Sequence, residues 1–238
     1  MVNAMGANSN THSKESLAER KTSLGRFEWI RFQFQKLLYD VIFWFLMRDR
    51  SWQEPLFTSI APKAQCHVLS FGRGAISVAR TLALRFPEAK VIGTDSYSNP
   101  IKKVFRSLLR RDIPNLMVVE APRCGPLPFD AGSFDKVVLV LALHNRIPEE
   151  KLAVAKEMLR VLRHGGMLHV AAYDKPSLPG ENAVLRLVRY LAGPTAADPH
   201  LNGSWIEYLS DGGFAGIRRQ SSCSVGGARI SVVRARKP

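Results

Sequence analysis

The 238-residue sequence has little cysteine: Cys66, Cys124 and Cys223 only. They are odd in number, far apart and never in a CxxC pair. That argues against a disulfide framework or a zinc knuckle and suits a reducing compartment. No cluster of His, Cys, Asp and Glu has metal-ligand spacing, so no metal is expected. A long apolar run is also missing. The densest stretch, Val41 to Met47, is seven residues, whereas a bilayer span needs about 20. Gly (17) and Pro (14) are too few for a collagen-like or low-complexity chain. Residues 1–25 are polar and have no apolar core, so they are expected to be a flexible tail rather than a signal peptide.

Acidic residues are scarce. Asp plus Glu is 20 against 34 for Lys plus Arg, a formal charge of +14. The excess implies an anionic partner or surface without naming one. It is greatest over residues 61–120, where ten basic residues face four acidic ones. There Ile101, Val104, Phe105, Leu108 and Leu109 recur at helical spacing, with Lys102, Lys103, Arg106, Arg110 and Arg111 between them. The pattern predicts an amphipathic helix with a basic face, either simply solvated or turned to anionic lipid or nucleic acid.

What is present is ample apolar material. Hydrophobic residues are 46% of the chain, enough for one large core. From Phe27 to Arg50 the pattern is helical and aromatic, and Ile30, Phe34, Leu37, Leu38, Val41, Ile42 and Phe45 line one wide face. Core packing, a lid over a lipophilic pocket and an edge against a membrane surface all suit such a stripe. From Cys66 onward strand and helix signals alternate. Strands are predicted at 67–71, 90–94, 115–119, 135–141 and 167–171, and helices at 77–85 and 148–162, the latter stopped by His164-Gly165-Gly166. Strands separated by helices imply a mostly parallel sheet. Residues 205–211 read as a helix. Strands over 214–221 and 229–236, joined at Gly226-Gly227, read as an edge hairpin.

In such a sheet, ligands bind beyond the carboxyl ends of the strands. Gly72 and Gly74 permit a tight turn ahead of a helix N-terminus, and Asp95 ends the second strand, where a carboxylate can accept both hydroxyls of a ribose. His144, at the end of the fourth strand, is the candidate general base, since its unperturbed pKa lies near neutrality. Asn145 can orient an acceptor. His67 and His169 fall inside strand patterns and are expected to be packed or capped.

These motifs resemble those of the class I S-adenosylmethionine-dependent methyltransferases, nearest to the ubiquinone and menaquinone C-methyltransferase group. The resemblance runs from Tyr39 to Arg236. Val68-Leu69-Ser70-Phe71-Gly72-Arg73-Gly74 is similar to the nucleoside-binding first motif, and Val91-Ile92-Gly93-Thr94-Asp95 to the ribose-binding strand. Leu127-Pro128-Phe129-Asp130-Ala131-Gly132-Ser133-Phe134-Asp135 resembles the stretch before strand four. Residues 159–168, with their Gly165-Gly166 turn, resemble the helix-turn-strand that follows. Three positions depart from the family pattern: Ser70 replaces the first motif's acid, Ile76 its third glycine, and Arg123 the acid that accepts from adenine.

The resemblance implies a Rossmann-like, doubly wound α/β fold: a seven-stranded, mostly parallel sheet with an antiparallel C-terminal hairpin and N-terminal lid helices. Residues 1–25 would be the tail, 26–60 the helical lid segment and 61–238 the methyltransferase domain. The implied activity is methyl transfer from S-adenosylmethionine to an oxygen or carbon of a small lipophilic or lipid-linked acceptor: a quinone precursor, a phospholipid head group or a glycolipid sugar. The implied cofactor-binding set is Ser70, Phe71, Gly72, Gly74, Asp95, Ser96, Arg123 and Leu141. His144 and Asn145 are the catalytic pair, and Tyr39 and Asp40 the lid residues. The three departures motivate an alternative, an accessory or binding protein with a degenerate cofactor site and no catalysis. A cytoplasmic location is expected, with an anionic membrane face as a peripheral partner. Nucleic acid is not expected, because no Asn-Pro-Pro-Tyr-like tetrad follows strand four. Nothing in the sequence signals an oligomeric state.

Overall fold

Two helices precede the first strand. α1 (Arg26–Leu46) and α2 (Arg50–Ile60) are separated by a break in which the Asp49 side chain accepts from the Ser51 amide at 2.7 Å and caps α2. This computed structural model describes residues 26–46, 48–95, 113–122 and 125–238. The predicted tail (1–25) and the basic 101–111 segment lie outside them. The chain forms two units divided between Val41 and Ile42. The described part of the first is α1 up to Val41. α2 belongs to the second unit and packs on its sheet.

The second unit carries β1 (His67–Gly72), α3 (Ala75–Arg85), β2 (Lys90–Asp95), β3 (Leu116–Glu120), β4 (Phe134–Val140), α4 (Pro148–Val161) and β5 (Leu162–Tyr173). Then follow α5 (Ala183–Ala192), α6 (Pro194–Asn202), a 3-10 turn (Ser204–Ile206), α7 (Glu207–Asp211), β6 (Ala215–Val225) and β7 (Ala228–Arg236). The sheet order is β3-β2-β1-β4-β5-β7-β6. The first five strands in that order are mutually parallel, and β7 and β6 are antiparallel. This is the expected doubly wound sheet with its edge hairpin. The hairpin turn is made by Gly226 and Gly227 at φ +54° and +79°, a region open to glycine and costly for other residues.

Strand alternation sorts the core into two layers. Leu69, Phe71, Val137, Leu139, Leu168 and Val170 face one way and pack with Val154, Ala155, Met158 and Val161 of α4 and with Trp205 and Leu209. The other face meets α3 at β1 and β2, and α2 at β5, β7 and β6. There Ser59 of α2 lies 3.0 Å from Nδ1 of His169. The Asn115 side chain donates to the carbonyls of Ala83, Phe86 and Ala89, closing the C-terminal end of α3 just before β3 starts.

Two boundaries differ from the sequence expectation. β5 begins at Leu162, ahead of Gly165-Gly166, so the glycines lie inside the strand beside an irregularity in its pairing with β4. α3 begins at Ala75, directly after the Gly72–Gly74 turn.

Candidate functional site

The carboxyl ends of β1, β2, β4 and β5 converge on one end of the sheet. β1 ends in Gly72, whose φ is +119°. A Cβ there would press into the Val140 carbonyl oxygen and stand 2.9 Å from Cβ of Ala142. Only glycine fits this turn, and the N-terminus of α3 opens straight after it, with no side chain among the described residues capping its amides. Gly72→Ala is expected to lower the unfolding free energy by at least about 3 kcal/mol through overpacking and backbone strain. A denaturant midpoint close to wild type would contradict that reading.

Ser70 sits at the carboxyl end of β1, fully buried, and its hydroxyl has no hydrogen-bond partner among the described residues. Phe71 beside it is buried. Asp95 closes β2, in register with Glu120 of β3. Leu141, just past β4, has φ +46° while its amide donates to the Ala171 carbonyl at 2.8 Å. A positive φ on a γ-branched residue is strained, and such strain collects at functional turns.

His144 follows in the same loop and is 1% exposed. Its ring meets Tyr173 edge-on at 4.8 Å and lies 6.4 Å from the His200 ring. Burial first, then coupling to His200 and the charges of Arg73, Lys151 and Arg146, hold its pKa well below the usual imidazole value. At neutral pH it is an uncharged acceptor in a cationic setting. His200 is tied through Nδ1 to the Tyr173 carbonyl at 2.7 Å and stacks on Trp205 at 5.7 Å. The Trp205 indole donates to buried Asp174 at 3.0 Å, which also accepts from Ser231 at 2.5 Å and pairs with Arg219 at 2.7 Å. A buried run of ring contacts and hydrogen bonds thus extends from the loop after β4 to the edge hairpin.

Three basic residues of this region were not singled out in the sequence. Lys151 of α4 is fully buried, and its ammonium donates to the carbonyls of Leu143, Arg146 and Ala196. Burial pushes its pKa down to about 8. A signal existed: Lys151 occupies the apolar stripe of α4 with Val154, Ala155 and Met158. Arg146 is buried, donates through Nε to the Ala142 carbonyl at 2.6 Å and lies 5.7 Å from the Phe71 ring centre. Arg73, inside the glycine turn, lies 4.5 Å over the Phe43 ring.

A family model described as a methyltransferase domain matches residues 68–166. That span runs from β1 through β5's glycine pair. The chain is 25% identical over 187 residues to a ubiquinone/menaquinone biosynthesis C-methyltransferase of Syntrophotalea carbinolica, covering 73% of this chain and 75% of that protein. It is 29% identical over 150 residues to a demethylmenaquinone methyltransferase of Listeria welshimeri, covering 56% and 62%. Residues 68–166 carry a methyltransferase domain, and the chain is similar to class I S-adenosylmethionine-dependent methyltransferases. Solved structures agree on the methyltransferase fold. PigF with SAH superposes with a TM-score of 0.63 at 20% identity, over 92% of this chain and 65% of that one. A SAM-dependent methyltransferase from Aquifex aeolicus gives 0.55 at 19%, over 78% and 89%.

The methyltransferase fold brings Ser70, Phe71, Gly72, Gly74, Leu141, His144 and Asn145 to one end of the sheet, with Asp95 at the end of the neighbouring strand. Ser96 and Arg123 lie outside the described residues. Tyr39, which is buried, and Asp40, which is exposed, belong to the first unit. His67 is exposed at the start of β1, where its amide donates to Asp135 at 2.6 Å, whereas His169 is buried as expected. S-adenosylmethionine is the cofactor that the methyltransferase domain implies, and the residues present fit it. An orphaned buried hydroxyl, an uncapped helix N-terminus and the Arg73 cation suit its polar amino-acid end, and the Asp95 position suits its ribose. Among the described residues no group of three or more His, Cys, Asp and Glu could hold a metal ion, and no helix is long and apolar enough to cross a membrane.

Proposed function

We propose that this protein methylates a small lipophilic acceptor of the quinone type, at an acidic hydroxyl or an adjacent activated carbon. The observation that carries the reading is buried His144 in the loop after β4, at the same end of the sheet as the glycine turn, with Arg73, Lys151 and Arg146 among the groups whose charge acts on it. The names of the two bacterial relatives supply the acceptor class.

When bound, the cofactor supplies a methyl group on a sulfonium, a good leaving group. The chain's own work is then approach geometry and water exclusion. The Gly72 turn and the α3 amides would hold the amino-acid end and Asp95 the ribose. Buried Leu141, Ala142 and Leu143 keep the floor dry. Surrounding cations favour an ionised acceptor hydroxyl over a neutral one, which makes the oxygen or its conjugated carbon nucleophilic. Neutral His144 accepts the hydrogen bond of that hydroxyl, and Asn145 orients the ring.

The test is calorimetric titration with S-adenosylhomocysteine on the wild type and on Asp95→Ala, followed by transfer of labelled methyl to a demethylmenaquinone. Micromolar binding that is lost in the variant, with label appearing in the quinone, is the expected outcome. A folded protein that binds no S-adenosylhomocysteine would overturn the reading.

A further inference from the structure

Helix α1 is apolar on two sides. Phe32, Tyr39 and Phe43 are buried or half-buried on one side. Counted at about 100° per residue, Ile30, Phe34, Leu37, Val41, Trp44 and Phe45 fall within an arc of about 100° on the other. All six are exposed, from 45% at Val41 to 65% at Phe34. Single exposed apolar residues need no explanation, but six in one stripe do. The helix has 21 residues, so it is about 31 Å long. The stripe runs along most of it and ends at a cation, the Arg48 guanidinium lying 4.9 Å over the Trp44 ring. Exposed Arg31 lies just beyond one rim of the arc.

We infer that α1 is an interfacial helix that lies in the plane of an anionic lipid bilayer, its stripe sunk to the level of the head groups. Three features favour lipid over protein. The stripe is rich in large aromatics with Trp44 at its margin, the composition of segments resting at a membrane interface. Arg48 beside that tryptophan reaches the phosphate level while its stem stays over the ring. The whole chain carries +14, so an anionic surface attracts it and a second identical copy repels it. The 4-3-4-3 spacing of Ile30, Phe34, Leu37, Val41 and Trp44 could also seat a second copy as a coiled coil, but two heptads are fewer than the three or four such pairing needs. The inference does not depend on the acceptor: binding to lipid is read without turnover.

The experiment uses the full chain and two kinds of vesicle, phosphatidylcholine alone and phosphatidylcholine with phosphatidylglycerol. Co-flotation measures the partition coefficient and tryptophan emission the depth. Two of the four tryptophans, Trp52 and Trp205, are already buried, so any blue shift reports Trp29 and Trp44. The wild type should float with the anionic vesicles and shift to the blue. The triple variant Phe34→Gln, Leu37→Gln, Val41→Gln keeps good helix formers and should lose about ten-fold or more of the partitioning. Its far-ultraviolet dichroism and S-adenosylhomocysteine affinity should stay unchanged, which separates this result from a failure of the methyl-transfer reading. Equal flotation of wild type and variant means adsorption by charge alone and overturns the inference. So does a dimer in sedimentation equilibrium that the same substitutions dissolve while vesicles bind neither protein. If the triple variant misfolds, the single substitution Phe34→Gln should still show a several-fold loss.

Discussion

Lowering the pH from 7 to 5.5 should cost the folded protein about 2.5 kcal/mol through His169 and His200, with His144 adding to the loss. Three buried imidazoles set this expectation. Burial is the first cause for each: it holds His169 and His200 down to about 3, and His144 well below the ordinary value. In the unfolded chain all three protonate near 6.5, while in the folded chain they stay neutral. The unfolded state therefore binds more protons through this window, and stability falls as the pH falls. The contribution is complete above about 6.5 and is lost progressively toward about 3, at up to about 1.4 kcal/mol per imidazole per pH unit. The depressed carboxylates Asp174 and Glu181 add to the loss only at lower pH, once an unfolded carboxylate begins to protonate. The local cause is visible at His200 and His169. Each has one ring nitrogen engaged, with the Tyr173 carbonyl and with Ser59, and for His169 the other nitrogen, Nε2, has no partner among the described residues. Urea midpoints across pH 5–7.5 read the slope, and His200→Gln and His169→Gln should each flatten it by about one proton. A flat profile would mean these rings are not shut away from water.

The second large effect belongs to Lys151→Met. The ammonium gathers three carbonyls from two elements: Leu143 and Arg146 from the loop after β4, and Ala196 from α6. Methionine has similar length and no donor, so three buried acceptors lose their partner together. The expected loss is about 3 kcal/mol or more in a denaturant titration. The functional loss should exceed what unfolding explains, because the tethered loop carries His144 and Asn145. In conditions where the variant is fully folded, turnover should fall about ten-fold or more, with S-adenosylhomocysteine affinity nearly kept. A variant with wild-type midpoint and turnover would remove Lys151 from any positioning role.

Much of this architecture was legible because it is written locally. Alternation of strand and helix signals from Cys66 gave the parallel sheet, and Gly226-Gly227 between two strand-like runs gave the edge hairpin. The end of β1 showed itself through Gly72, since a positive φ and a close approach leave no other residue. The misreadings are local signals overruled by packing. Gly165-Gly166 looked like a stop, but pairing with β4 and β7 draws the chain into β5 from Leu162 onward. α5 and α6 went unread, because Gly193, Pro194 and Pro199 break the periodicity over residues 183–202. The chain from His144 through Tyr173, His200 and Trp205 to Asp174 and Ser231 left no pattern at all. Its members lie up to 57 residues apart along the bond from Ser231 to Asp174, and only the folded sheet assembles them.

Asn115 gives the sheet's border strand an unusual dependence. Its amide holds three carbonyls at the end of α3 while the next residues enter β3. The helix cannot finish until the strand arrives, and the strand cannot fray without reopening the helix end. α3 and β3 should therefore exchange their amide hydrogens as one cooperative block, although β3 is the outermost strand of the sheet and pairs on one side only.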